Sequence, residues 1–222
     1  MAGLHMVKLK IKGGIMWIFV LFLLAKGGRV MEIKLPEPVV KGEVSVEECI
    51  ATRRSIRAYL SKPLTMAQLS QLLWSAQGIT NPGGLRASPS AGATYPLEIR
   101  VVTSDGVFHY IPLGHKLIRE TQLDLRKKLA QCALGQSFIG EAPADFVISC
   151  VYERTTQRYE ERGIRYVHME AGHTAENIHL QAVAFGLGSV PIGAFYDSKV
   201  KELLNLPPNE EPLYIIPVGY PK

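Results

Sequence analysis

The chain has 222 residues, 47% hydrophobic and 20% charged, with 20 Gly and 14 Pro, an ordinary globular composition that excludes disordered, collagen-like and disulfide-stapled classes. Its net charge of +5 is localised: residues 1–34 hold six basic groups and one acid, while the other 188 residues balance at 19 against 19. A neutral body argues against a general nucleic-acid binder, which needs surplus positive charge to displace counterions.

The first 34 residues set themselves apart as a leader, ahead of a single domain over 35–222. From Gly13 to Ala25 the chain carries no charge, with Lys8, Lys10 and Lys12 before it and Lys26 after it. As a helix this run spans about 20 Å, short of the roughly 30 Å hydrocarbon core of a bilayer. A basic segment followed by such a run resembles a secretory signal, although Ala25-Lys26-Gly27 matches a small-x-small cleavage site poorly. The other readings are a membrane anchor, a strand or helix packed on the body, and an upstream extension of a chain that starts at Met31. The compartment therefore stays open between cytoplasmic and exported or membrane-associated.

In the body, Met31 to Val44 holds Pro36 and Pro38 without periodicity and is expected to be an extended arm. Ser45-Val-Glu-Glu48 and Thr65-Met-Ala-Gln68 both have the capping-box form, predicting helices over about Val46 to Thr52 and from Met66 to Gln77, the second ended by Gly78. Asn81 to Pro96 reads as a loop. Glu98–Val102 and Val107–Ile111 read as strands of a hairpin turned by Thr103-Ser-Asp-Gly106. A helix is expected from about Ile118 to Leu134, a strand over Phe146–Tyr152, a long apolar central helix over Val167–Leu187 and a last strand over Leu213–Val218. A hairpin, helices and late strands without regular βαβ alternation point to an α+β fold, a mainly antiparallel sheet packed by helices. Cys49, Cys132 and Cys150 are odd in number and far apart, and are expected as three buried thiols.

Three stretches stand out chemically. Arg53, Arg54 and Arg57 surround Ser55 just past a helix, and guanidinium forks with a hydroxyl match phosphate oxygens. Such clusters also occur solvated or paired with acids. Ser88 to Pro96 combines small residues with prolines, which lets backbone approach a flat ligand and equally suits a surface loop. Pro191-Ile-Gly-Ala-Phe195 follows the central helix, where Gly193 offers an uncluttered peptide N–H or simply a turn into a strand. His168, His173 and His179 share a segment with Glu170 and Glu176, but His168 and His179 lie about 16 Å apart along a helix, too far to share a metal.

Taken in order, Arg53-Arg-Ser-Ile-Arg57, Pro63-Leu-Thr with Leu72-Leu-Trp-Ser-Ala-Gln-Gly78, Pro89-Ser-Ala-Gly-Ala-Thr-Tyr-Pro96 and Gly188-Ser-Val-Pro-Ile-Gly-Ala-Phe195 resemble the nitroreductase family of flavoproteins, most closely its SagB-type dehydrogenases. The resemblance runs from about Leu35 to the C-terminus. It implies an intertwined homodimer around a long buried central helix, with FMN at the interface, small-molecule substrates, and NADH or NADPH as electron donor if the enzyme is a reductase. By motif, Arg53, Arg54, Ser55 and Arg57 hold the FMN phosphate, ribityl chain and pyrimidine edge. Pro89, Ser90, Ala91 and Gly92 cover the flavin from the other subunit. Pro191, Ile192, Gly193 and Ala194 lie against the ring, with the Gly193 backbone near N5, and Gln136 resembles the family's amide contact. Chemistry on the flavin N5 asks for no catalytic side chain. Ala93 and Tyr95-Pro96 stand where many nitroreductases have an Asn and a Gln-Pro-Trp, a departure that weighs against nitroaromatic specificity. The basic phosphate contact that the family often places after the last strand is either missing here or falls to Lys222. The alternatives are a non-catalytic flavin- or anion-binding module and a zinc enzyme built on His173.

Overall fold

A computed structural model describes residues 4–11, 14–21 and 31–222, the first two spans as backbone only, and divides the chain into two units, Met1–Val30 and Met31–Lys222. In the first unit β1 (Leu4–Ile11) pairs antiparallel with β2 (Gly14–Leu21). Much of the expected leader, including residues 22–30, lies outside the described residues. No helix among the described residues is long and apolar enough to cross a membrane.

In the second unit the expected arm begins as a short strand, β3 (Glu32–Lys34), and continues without regular structure to α1 (Val46–Thr52). Ser45 caps α1 by accepting from the Glu48 N–H at 3.1 Å. At α2 (Met66–Gln77) Thr65 forms both halves of the box, its hydroxyl accepting from Gln68 N–H at 3.2 Å and its own N–H donating to Gln68 Oε1 at 2.9 Å. A meander follows, β4 (Leu97–Thr103), β5 (Gly106–Ile111) and β6 (Lys116–Thr121).

The segment expected to be helical from Ile118 to Leu134 begins instead as a strand. Its first residues belong to β6, which pairs with β5 on one side and β3 on the other, and the helix α3 (Arg126–Cys132) starts only where Asp124 accepts from the Arg126 N–H at 3.1 Å. Then come α4 (Ser137–Glu141), β7 (Ala144–Cys150), α5 (Glu153–Tyr159), the long α6 (Arg162–Ala184), β8 (Gly188–Ser189), α7 (Asp197–Leu204) and β9 (Glu211–Gly219).

The seven strands of this unit form one sheet in the order β3-β6-β5-β4-β7-β9-β8, with every pairing antiparallel, and helices cover both of its faces. Alternation along each strand sends neighbours to opposite cores. Val101, Phe146 and Ile216 pack with Leu72, Leu73, Ala171 and Ile178 of α2 and α6. Val102, Val147 and Ile215 pack with Leu129, Ile139, Val200 and Leu204 under α3, α4 and α7. Strand β7 is buried on both faces, hence its unbroken apolar run. The three cysteines are free and buried. Helix α6 buries Val167, Ala171, Ala175, Ile178 and Ala182, while Ile164, Met169 and Phe185 remain exposed in the single chain.

Candidate functional site

The arginine segment is an extended strap fixed at three places. Helix α1 ends where the Arg53 N–H donates to Cys49 O at 2.9 Å. Ser55 then bridges Ser189 of β8 in parallel, and the Ile56 N–H donates to Ser189 O at 3.1 Å. This close approach needs Gly188, because a Cβ there would sit 2.6 Å from Ile56 Cβ. Beyond it, the buried Tyr59 donates its hydroxyl to Ile56 O and to Pro217 O, and the chain end clamps the strap through Leu60 N–H to Tyr220 O at 2.8 Å and Lys222 N–H to Ala58 O at 3.1 Å. Lys222 thus arrives beside the strap, with its ammonium 3.8 Å from Glu141.

With Ile56 turned inward against Gly188, Ser55 and Arg57 are exposed. Arg54 folds back on its own backbone, donating to Ala51 O at 3.2 Å and Arg53 O at 2.6 Å. Neither Arg54 nor Arg57 is within salt-bridge range of a carboxylate among the described residues. Arg53 Nε lies 3.9 Å from Glu176 Oε1, beyond hydrogen-bond range, and Nη1 donates to His179 Nε2 at 3.0 Å. His179, buried on α6, lies within 2.5 Å of Ser189 Oγ through Nδ1. Burial and the Arg53 charge push His179 down to about 4, so its ring is neutral at physiological pH.

Ser189 leads directly into the second stretch. Ile192 exchanges two hydrogen bonds with Ile215 of β9, at 2.8 and 2.9 Å, so the backbone just before Gly193 is held by the sheet. Gly193 and Ala194 are exposed, and a Cβ on Gly193 would meet only Tyr214 Cε1, at 4.0 Å. Packing within the chain therefore does not require a glycine here. A left-handed turn at Leu134 (φ 58) and Gly135 (φ 76) presents Gln136, whose amide donates to Ala133 O at 2.9 Å and Ala194 O at 3.1 Å. The strap from Arg53 to Arg57 thus meets the chain that leads to Pro191–Ala194 through backbone contacts at Ser189, and Gln136 joins them through its side-chain amide.

Pro89, Ser90, Ala91 and Gly92 are placed elsewhere, with Ser90 beside Glu170 in the N-terminal half of α6 and Gly92 against Arg158 and Tyr159 of α5. Ser88 anchors the loop by donating to Ala76 O at 2.8 Å, and Ser90 Oγ accepts from the Tyr95 N–H at 2.9 Å. Gly92 has φ 61, a left-handed conformation that favours glycine, and a Cβ there would fall 2.7 Å from Tyr159 Oη and displace that side chain. Below the loop Glu170 is buried, receives Gln77 Nε2 at 3.4 Å and is pushed up to about 7 by desolvation, against the opposing pull of Ser90, Gln77 and Arg86. Glu170 precedes His179 by nine positions, about 13.5 Å along a helix axis. The loop and the strap therefore sit at separate stations of one helix.

Sequence reasoning singled out the strap but missed His179, Ser189 and Glu176 as its neighbours. The available signal was a histidine on the stripe of α6 that also carries Ala175, Ile178 and Ala182. No group of three metal-ligating side chains occurs among the described residues; His168 instead hydrogen-bonds the Tyr152 hydroxyl at 2.6 Å, and His173 is exposed.

The second unit thus sets an arginine-bearing strap beside an exposed segment at Gly193 and Ala194, on an antiparallel sheet packed by helices. The nitroreductase family profile matches residues 50–220. A Methanocaldococcus jannaschii protein bearing that family's name is 46% identical over 198 residues, covering 86% of this chain and 98% of the relative. A Ralstonia eutropha crystal structure, also named for the family, superposes with a TM-score of 0.79 at 30% identity, covering 86% of this chain and 90% of the other. Two more distant relatives are the NADPH-flavin oxidoreductase of Vibrio harveyi, 28% identical over 78% of this chain, and the microcin B17-processing protein of Escherichia coli, 27% identical over 64%. The matches span 65% and 57% of those proteins' own lengths. The chain belongs to the nitroreductase family, and so to the flavin-dependent oxidoreductases.

Proposed function

We propose that the strap and platform are one half of an FMN site, and that a homodimer completes it. The observation that carries this reading is the joint anchoring at Ser189: one residue holds the arginine strap by its backbone and leads, two positions on, into the exposed platform. The residues fit the group. Arg53 and Ser55, with Lys222 nearby, take the phosphate, since charge-assisted bonds from a guanidinium and a hydroxyl suit a dianion. Arg57, free of carboxylates among the described residues, takes the pyrimidine edge, where negative charge gathers on reduction. The absent side chain at Gly193 leaves its peptide N–H open toward a flat ring, and Gln136 fixes that peptide segment through Ala194 O. The partner subunit's Pro89, Ser90, Ala91 and Gly92 form the opposite wall, which one chain keeps away from its own strap.

Bound FMN supplies hydride acceptance and donation at N5. The chain's own part is to grip the phosphate, orient the ring against Pro191 to Ala194, stabilise charge at the pyrimidine edge through Arg57, and leave one face open to a small-molecule substrate. Reduced nicotinamide and acceptor then alternate over that face, giving NAD(P)H-dependent quinone or nitro reduction. Similarity to the microcin B17-processing protein favours a second reading, a SagB-type dehydrogenase of azoline rings.

The test is the absorbance spectrum of purified protein, with the chromophore released by heat and identified, followed by turnover of NADH and NADPH against quinone and nitroaromatic acceptors. FMN with turnover is expected. FMN without nicotinamide turnover, but with oxidation of an azoline peptide, selects the dehydrogenase. FMN with neither reduces the protein to a binding module, and colourless protein that ignores added FMN overturns the site.

A further inference from the structure

We propose that His179 is the positioning residue for Arg53: its ring, clamped between the Arg53 guanidinium and the Ser189 hydroxyl, fixes the phosphate-gripping cation relative to β8 and the platform. The inference rests on the FMN reading and adds to it a residue outside the four motifs. Arginine only donates, so His179 Nε2 must be the bare, accepting nitrogen of the 3.0 Å contact. The proton then resides on Nδ1 and is donated to Ser189 Oγ. Ser189 therefore meets the strap twice, through its carbonyl at Ile56 N–H and through its hydroxyl by way of the His179 ring.

This matters because the Arg53 side chain has 34% of its surface exposed and would otherwise sample many rotamers. Its other neighbour, Glu176, is too far for a hydrogen bond at 3.9 Å and is itself half exposed. The downward shift of His179 keeps its ring an acceptor throughout the neutral range. Holding the cation in place before the phosphate arrives removes an ordering cost that binding would otherwise carry.

The test titrates apo-protein with FMN and with riboflavin, which differ only in the phosphate. Arg53→Met is expected to weaken FMN about tenfold or more while leaving riboflavin unchanged. His179→Leu is expected to reproduce that selective loss, and the double variant to be no worse than Arg53→Met alone. His179→Gln, which accepts through Oε1 and donates through Nε2, is expected to restore most of the FMN preference. The proposal is overturned if His179→Leu keeps the parent ratio of the two affinities, lowers both equally, or adds its full effect to that of Arg53→Met. If Arg53→Met itself leaves the ratio unchanged, the phosphate role of the strap fails, and with it any role for His179 in serving it. Should His179→Leu not fold, Ser189→Ala carries the test: a selective FMN loss of about threefold supports the link, and an unchanged ratio overturns it.

Discussion

The two stations along α6 treat their polar groups differently. At the C-terminal station His179 stays neutral and serves as a link, accepting from Arg53 and donating to Ser189, so helix, strap and platform are tied together. At the N-terminal station Glu170 is a buried acid pushed up to about 7, and the loop above it is held by Ser88, Ser90 and the left-handed Gly92. In the proposed site the first station holds the arginine strap. The second stiffens the loop that the proposal assigns to the partner copy. The most severe test of the comparison is dilution: as the dimer dissociates, bound FMN should be released with it, seen as recovery of flavin fluorescence coincident with the fall in sedimentation coefficient. An FMN-loaded monomer would break the comparison outright.

The next effect in size falls on the platform. Gly193→Pro removes the peptide N–H that follows Ile192, which the sheet holds, and precedes Ala194, whose carbonyl accepts from Gln136. Turnover is expected to fall about 100-fold, the scale of losing one preorganised donor to developing charge, while FMN affinity changes little because strap and phosphate contacts are intact. Gly193→Ala is the control for the fold, since its Cβ meets only Tyr214 at 4.0 Å. Equal turnover in Gly193→Pro and parent would remove the platform's N–H from the chemistry.

A smaller effect sharpens the Glu170 side. Its folded value of about 7 lies above the ordinary carboxylate value of 4.5, so the native state holds a proton that the unfolded chain releases between those limits. Stability contributed by this group is therefore present at low pH and lost as pH rises through 7. Glu170→Gln should match the parent near pH 5 and exceed it by about 1–3 kcal/mol at pH 8, read from denaturant midpoints. A parent as stable as the variant at pH 8 would contradict this.

Local signals were legible where local chemistry decides. Ser45 and Thr65 marked both helix starts, and Thr103 to Gly106 marked the hairpin, because caps and turns are written in neighbouring residues. Lys116 to Thr121 was not legible: Arg119, Glu120 and Leu123 favour a helix locally, but the open edge of β5 recruits the segment as a strand, a gain that depends on residues elsewhere in the chain. The same limit applied to the site. The motifs named strap, platform and loop, and the spacing of Glu170 and His179 on one helix, but not that Ser189 joins strap to platform, nor which of the two side chains lies by the strap and which by the loop. Those facts belong to tertiary pairing, and a histidine on an apolar stripe was the trace of the first.

The smallest expected effect lies where the comparison is least clear-cut, at Glu176. This half-exposed carboxylate stands 3.9 Å from Arg53 Nε, on the surface beside the grip. It draws on the same cation that the phosphate needs and repels the dianion itself, yet exposure and mobile counterions weaken both influences. Glu176→Gln should therefore tighten FMN by roughly twofold in dilute buffer, and the gain should fade toward nothing near 1 M salt, where the screening length shrinks to about 3 Å. Riboflavin, lacking the dianion, should bind parent and variant alike. Weaker FMN binding in the variant would mean that Glu176 supports Arg53 instead of competing for it, shifting the positioning role from the buried face of α6 to its exposed edge.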